Sequence, residues 1–245
     1  LSENHPLQCR LFRDPPAAGD WNMAIDEATL DGAIHSPDSL PTLRWYQWSS
    51  PTLSLGYFQS ARSVPDPLAH LPLVRRLTGG GAILHDCELT YSIVFPSGSW
   101  PKESFLDHVA DVHDEIRLAT RGLSFAGKES HEAAIEPFLC FERRSPLDLV
   151  TQGCKIVGSA QRKRSGALLQ HGSILLGTSS LTPHLAATEG ASEPMIELII
   201  AEVTKGLMKR WNLDPVSIDR TTLEIEQATE LAESKYRSAT WNNRR

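Results

Sequence analysis

The 245-residue sequence predicts an α/β (α+β) fold, a mixed and largely antiparallel sheet flanked by helices. Three observations predict it. Strand-like segments follow one another with only short turns between them, which favours antiparallel neighbours. Segments with helical spacing lie towards both ends of the chain and once between strands, so helices are available to cover the sheet. No strand–helix–strand stretch carries Gly-x-Gly-x-x-Gly, which excludes a dinucleotide-binding fold.

The elements follow in order. Asp20 is placed to cap a helix whose Trp21, Ala24, Ile25 and Ala28 share one face. Residues 42–57 read as two strands broken at Ser49-Ser50-Pro51, with Leu43 and Trp45, then Leu53, Leu55 and Tyr57, alternating. Glu88–Phe95 is a strand with Leu89, Tyr91, Ile93 and Phe95 on one face. In the long helix that follows, Phe105, Val109, Val112, Ile116 and Ala119 recur at three and four residues. Residues 147–150, the turn Thr151-Gln152-Gly153 and residues 155–161 form a hairpin, and Gly166 turns the chain into a further strand over 167–176. Ser192 caps a helix running to about Trp211 with Pro194 in its first turn, and a last amphipathic helix covers roughly 219–236.

Composition narrows the function classes. With 40% hydrophobic and 22% charged residues the chain is an ordinary globular protein rather than a disordered one. No run approaches a membrane span, and residues 1–14 show no basic region followed by an apolar stretch, so neither membrane nor secretion is indicated. Cys9, Cys87, Cys140 and Cys154 have no Cys-x-x-Cys spacing, which argues against a structural zinc or a disulfide framework and for the cytoplasm. A net charge of −6 argues against nucleic acid as a partner. The charge is uneven, because Arg143, Arg144 and the run Arg162-Lys163-Arg164 are basic whereas 224–233 is acidic.

Two segments carry chemistry. In Arg75-Arg76-Leu77-Thr78-Gly79-Gly80-Gly81-Ala82, three glycines strip every Cβ from a short arc of backbone, so its N–H groups can approach an anion or a carbonyl oxygen. Two arginines before it and His85-Asp86 after it are company a plain turn does not need. Lys155 opens a segment, Lys155-Ile156-Val157-Gly158-Ser159-Ala160-Gln161, that otherwise reads as a buried strand, with Lys155 sharing a face with Val157 and Ser159. A buried lysine needs a carboxylate, a thiolate or an acyl group opposite it. His171-Gly172 in the next strand reads, taken alone, as a satisfied core histidine.

These motifs, together with Gln170-His171-Gly172-Ser173, resemble the catalytic domain shared by lipoate ligases, octanoyltransferases and biotin ligases. The similarity runs in order from Trp21 to the tail Lys235-Tyr236…Trp241-Asn242. It implies a class II synthetase and biotin-protein-ligase-like fold, and one catalytic domain over 1–245 with its motif core at about 38–212 and a helical tail over 213–245. It implies that Arg75, Arg76, Thr78, Gly79, Gly80, Gly81, His85, Gly158, Ser159, Ala160, His171 and Gly172 bind substrate, and that an apolar tunnel takes a medium-length acyl chain.

Cys140 selects among the members. Leu139-Cys140-Phe141-Glu142, fifteen residues before Lys155, resembles the segment of the cysteine-dependent octanoyltransferases of lipoate assembly in which the cysteine carries the acyl group as a thioester. A free thiol is only a few per cent thiolate at neutral pH, and a neighbouring ammonium can favour the reactive form. The resemblance implies Cys140 and Lys155 as catalytic residues and no cofactor or metal. It implies acyl carrier protein as octanoyl donor, and as acceptor a lipoyl-domain protein such as glycine cleavage H protein or a 2-oxoacid dehydrogenase E2. Gly81 departs from that subgroup, which carries arginine there, and resembles an ATP-dependent lipoate ligase that would use ATP and Mg. The ligase therefore stands as the alternative, with an octanoyl amidotransferase and a non-enzymatic acyl-binding module beside it. Because both partner types are acidic, Arg143, Arg144, Arg162, Lys163 and Arg164 are expected to form one basic docking rim.

Overall fold

The computed structural model describes residues 5–36, 38–100, 104–127, 136–185, 187–188 and 191–245. Its main sheet grows outward from Glu88–Phe95 (β6 in chain order), the strand with the plainest alternation. On one side β6 pairs antiparallel with Thr42–Tyr46 (β2), which is joined in parallel by Leu7–Arg13 (β1) and then by Leu213–Val216 (β11). On the other side it pairs antiparallel with Ala167–Leu175 (β10), followed by Cys154–Arg164 (β9), Leu149–Thr151 (β8) and Ser124–Phe125 (β7). The expected break at Ser49-Ser50-Pro51 does more than end a strand. Thr52–Leu55 (β3) leaves the main sheet and forms a second one, parallel to Leu73–Arg75 (β4) and antiparallel to Ile83–His85 (β5). The glycine turn is the connection between β4 and β5.

The two faces of the main sheet differ in chemistry. Leu89, Tyr91, Ile93 and Phe95 join the largest core with residues of Phe105–Ala119 (α2) and Glu193–Arg210 (α3). The Phe105 side chain lies outside the described residues. The opposite face carries Arg44 and Ser92, which are buried against Gly19–His35 (α1), and the buried Thr90, which accepts from Trp48 Nε1 at 3.0 Å. Asp26 of α1 accepts hydrogen bonds there from Arg44 Nη1 at 2.9 Å, Ser92 at 2.7 Å and the Tyr46 hydroxyl at 3.0 Å. Burying a carboxylate among these donors and the Arg44 charge holds its pKa below the ordinary range despite the opposing effect of burial. This polar face borders the site.

Helix boundaries follow local chemistry. Ala18, not Asp20, is the N-cap of α1, and Asp20 in the first turn accepts from the Trp21 N–H at 2.9 Å. Ser192 and Pro194 stand at the start of α3 as expected, although the Ser192 side chain makes no capping bond. The last helix is shorter than its amphipathic pattern suggested. Thr222–Leu231 (α4) begins at a Thr221–Glu224 capping box and passes into a wider turn at Ala232–Tyr236 before the short Ala239–Asn242 helix (α5).

His113, on the sheet-facing side of α2, is fully buried and neutral. Its Nδ1 meets the Leu147 carbonyl at 2.5 Å and its Nε2 the Ser159 hydroxyl at 2.6 Å. Burial, with a smaller push from Lys155, brings its pKa down to about 4. The unfolded chain takes up this proton near pH 6.5, but the native protein resists until about pH 4. The stabilisation is therefore complete above pH 6.5 and is lost as pH falls towards 4, by about 3 kcal/mol in all. In urea titrations, the stability advantage of wild type over His113→Gln should shrink by about that amount between pH 7 and pH 4. A constant difference would mean that the native protein takes up this proton as readily as the unfolded chain does.

Candidate active site

A cleft opens between the polar face of the main sheet, the second sheet and α1. Met23, Tyr46, Trp48 and Ile83 supply most of its apolar wall, and Arg76, Gly80, His85, Cys140, Gly158, Ser159, Ala160, His171 and Gly172 also line it. Nine of the residues expected from sequence thus meet in one place.

Cys140 begins a short 3-10 turn, Cys140–Glu142, pinned to the end of the glycine turn. Its N–H donates to the Ala82 carbonyl at 2.7 Å, and the Ala82 N–H donates to the Phe138 carbonyl at 3.0 Å. Lys155 Nζ lies 3.5 Å from Cys140 Sγ and 2.9 Å from Asp148 Oδ2, with both charged side chains about 5% exposed. Asp148 is held in turn by the Ser145 N–H at 2.6 Å. Burial pushes the Asp148 carboxyl above the ordinary range, and Lys155 pulls it part of the way back. Asp148 was missed from sequence, though the signal was there. The expected hairpin already set it near a buried lysine that needed a carboxylate.

A β-bulge aims Lys155. The β8–β9 register pairs Val150 with Lys155 but Leu149 with Val157, so Ile156 is an extra residue on β9. The insertion shifts the alternation by one. Lys155 therefore reaches the side of Gly158, not that of Val157 and Ser159 as the unbroken alternation implied. A Cβ at Gly158 would lie 2.7 Å from Lys155 Nζ, so the missing side chain is what leaves room for the ammonium. Gly158→Ala should then behave like Lys155→Met, slowing iodoacetamide alkylation of Cys140 at pH 7 by about tenfold through loss of roughly 1.4 kcal/mol of charge stabilisation. A wild-type alkylation rate in Gly158→Ala would detach the lysine from thiol activation.

Arg76 shapes the glycine turn from within. Its guanidinium donates to the Gly79 and Gly81 carbonyls at 2.9 and 2.6 Å and to the Ser54 carbonyl and hydroxyl at 3.0 and 3.1 Å. Burial lowers its pKa to about 10, so it stays charged at neutral pH. Gly80 has φ +90°, a conformation open to glycine, and a Cβ at Gly81 would fall 2.6 Å from Arg143 Nε and 2.9 Å from the Cys140 amide nitrogen. Arg143 thus fills the space that a side chain at 81 would take. Behind the cleft, His85 Nδ1 meets Glu88 at 2.5 Å, its Nε2 meets the Ser54 hydroxyl at 2.7 Å, and its ring stacks on Trp48 at 3.7 Å. His171 is set between Thr78 at 2.6 Å and Asp26 at 3.4 Å. Gly172 is required too, since a Cβ there would meet Tyr91 at 2.7 Å and the Gly158 carbonyl at 2.8 Å.

Two expectations are corrected. Arg75 does not line the cleft. It is fully buried on the far side of the turn, where it donates to the carbonyls of Gly56, Gln59, Trp241 and Asn242. Nor do Lys163 and Arg164 share a rim with Arg143 and Arg144. Arg144 is exposed and Arg143 is tied to the Pro137 carbonyl and Glu136 near the Cys140 end of the site. Lys163 stands eight residues along β9 from Lys155, roughly 26 Å at a strand's rise. There Arg164 pairs with Glu27 and Asp31, Lys163 lies over Trp100, and Arg162 lies over Tyr57.

A thiol beside a buried ammonium, at the mouth of an apolar cleft and under a glycine turn, is the equipment of an acyl-handling enzyme. The family described as lipoyl protein ligase A/B catalytic domain matches residues 19–205, and the chain belongs to it. Its relatives include Octanoyltransferase LipM of Geobacillus kaustophilus (strain HTA426), 33% identical over 94% of this chain and 95% of that one. Octanoyltransferase LipM of Clostridioides difficile (strain 630) is 30% identical over 97% and 99%. Among solved structures, lipoate-protein ligase A bound with ATP superposes with a TM-score of 0.77 at 24% identity over 97% and 99% of the two chains. A bi-partite lipoate protein ligase from Thermoplasma acidophilum, described with its E2 lipoyl domain, gives 0.74 at 23% over 97% and 96%. These two likenesses establish the shared fold.

Proposed function

We propose that the chain transfers an octanoyl group from acyl carrier protein to the lysine of a lipoyl domain through a thioester on Cys140. The observation that carries this reading is the partly open Cys140 thiol set against the buried Lys155–Asp148 pair at the cleft, with Nζ 3.5 Å from Sγ. The octanoyltransferases to which the chain is similar over nearly its full length support the substrate class. Lys155 stabilises the thiolate, which attacks the carrier thioester. Among the described residues the amides of Gly79, Gly80 and Gly81 donate to no protein acceptor, which leaves them for the oxyanion. The carrier departs as a thiolate that takes a proton from solvent. The neutral lipoyl-domain amine then attacks the acyl-enzyme, gives up a proton to solvent, and the amide forms as Cys140 leaves as a thiolate beside Lys155. Burying an eight-carbon tail along Met23, Tyr46, Trp48 and Ile83 is worth about 5 kcal/mol. One methylene changes this by only ~0.8 kcal/mol, so chain-length preference is soft.

The test is transfer without nucleotide. Octanoyl carrier protein and an apo lipoyl domain should give the octanoylated product in the absence of ATP, followed by intact mass. Use of free octanoate or lipoate with ATP, and not of the carrier thioester, would replace this reading with the ligase and make Gly81 the decisive residue.

A further inference from the structure

Three arginines converge on the outer side of the glycine turn. The Arg162 and Arg244 guanidinium carbons lie 5.0 and 4.3 Å from the Tyr57 ring centroid, and Arg245 lies 5.3 Å from that of Phe58. Arg244 also donates to the Tyr57 hydroxyl at 3.0 Å and lies over Trp241. Among the described residues none of the three meets a carboxylate, in a chain of net charge −6 whose neighbouring Arg164 has two. The Tyr57 hydroxyl is drawn below its ordinary pKa, first by the hydrogen bond from Arg244 and then by the charges of Arg244, Arg162 and Arg245. Three guanidinium groups held this close repel one another unless an anion joins them.

The cluster is attached to the cleft. The Tyr57 N–H donates to the Thr78 carbonyl at 2.8 Å, and the Phe58 ring lies 3.8 Å from where a Gly79 Cβ would be. Gly158, Ala160 and Arg162 follow one another on the cleft-facing side of β9, and four residues of strand set Arg162 about 13 Å beyond the glycine that accommodates Lys155. A donor whose thioester sits at Cys140 would carry its pantetheine arm across a gap of that order. Planar guanidinium groups match phosphate oxygens in pairs.

We propose that Arg162, Arg244 and Arg245 bind the phosphodiester at the end of the donor's phosphopantetheine arm while its acyl thioester lies at Cys140. This rests on the thioester reading above. Carrier protein and coenzyme A both place a phosphate at that end of the arm, as a phosphodiester in the one and within a diphosphate in the other, so the test must part them.

Second-order rates of Cys140 acylation are measured on the full chain by intact mass with octanoyl-pantetheine, octanoyl-phosphopantetheine, octanoyl-coenzyme A and octanoyl carrier protein. Wild type should react at least about tenfold faster with octanoyl-phosphopantetheine than with octanoyl-pantetheine. In Arg244→Gln/Arg245→Gln that ratio should fall to near one. Arg162→Gln should lower it as well, without touching the tail, and the carrier should slow in parallel in both variants. A ratio near one in wild type, or a ratio that survives both variants, overturns the proposal. Slowing of the carrier alone overturns it in favour of acidic side chains on the carrier, and slowing of coenzyme A without the carrier overturns the carrier as the source. If no donor acylates Cys140, octanoyl-pantetheine included, the thioester reading itself has failed.

Discussion

Incubated with octanoyl carrier protein, Cys140→Ala gains no octanoyl mass, and its transfer to a lipoyl domain falls roughly a thousandfold or more, because the covalent route is gone. The expectation is specific to this thiol. Cys9 is buried and its thiol is pushed up to about 12 by that burial. Cys87 is exposed and its pKa is also raised, by its partial burial and then by Asp86. Cys154 is exposed beside the turn of the β8–β9 hairpin. Only Cys140 pairs a partly open thiol with a buried ammonium at hydrogen-bond distance. Cys154→Ser should therefore acylate as wild type does, with an adduct that hydroxylamine removes. A stable octanoyl adduct on Cys140→Ala would end the assignment, whatever the activity.

The legible parts of this sequence are those whose physics is local. Glu88–Phe95 is bounded to the residue because it is buried along its length and alternates throughout, and the helix Phe105–Ala119 announces itself by an apolar face that repeats at one period. Leu7–Arg13 gave no signal. Its residues alternate weakly, it is largely unburied, and it is a strand only because β2 and β11 flank it. Leu213–Val216 contains Pro215, which reads as a turn, yet an edge strand tolerates it. The three-residue strands β4 and β5 are too short for any pattern, and the second sheet they make with β3 went unseen.

The site divides the same way. Cys140, Lys155 and the glycine turn were legible because motifs are contiguous. What the fold adds is not contiguous. The bulge at Ile156 depends on pairing with β8, and it reverses the face that simple alternation assigns to Lys155. The Arg162, Arg244 and Arg245 cluster joins residues some eighty positions apart, while Arg162-Lys163-Arg164 looked like one basic run. In a strand, neighbours point to opposite faces, so a basic run is never one surface. Arg75, the last residue of β4, and Arg76, just beyond it, part as well, one turned into the tail and the other into the cleft.

Arg75→Met should destabilise the protein by about 3–5 kcal/mol, one of the largest single losses expected outside the core. Its guanidinium reaches the carbonyls of Gly56 at 2.9 Å and Gln59 at 2.7 Å on one side, and Asn242 at 2.7 Å and Trp241 at 3.2 Å on the other. The backbone joins in, as the Arg75 N–H donates to the Asn242 side chain at 2.9 Å and Trp241 Nε1 donates to the Arg75 carbonyl at 2.8 Å. Methionine keeps the aliphatic stem but strands several buried carbonyls, each at a cost of about 1–3 kcal/mol unless the tail lifts away and water reaches them. That release sets an upper limit on the loss and gives it a signature. Limited proteolysis should cut Arg75→Met in the segment carrying α5 well before wild type, and urea midpoints should fall together with that protection. Iodoacetamide alkylation of Cys140 should keep its wild-type rate while the domain remains folded, because Lys155 and Asp148 lie on other elements. A substrate-binding arginine would show the reverse pattern, a raised KM for the acyl donor with an intact tail and an unchanged urea midpoint. That result would return Arg75 to the active site.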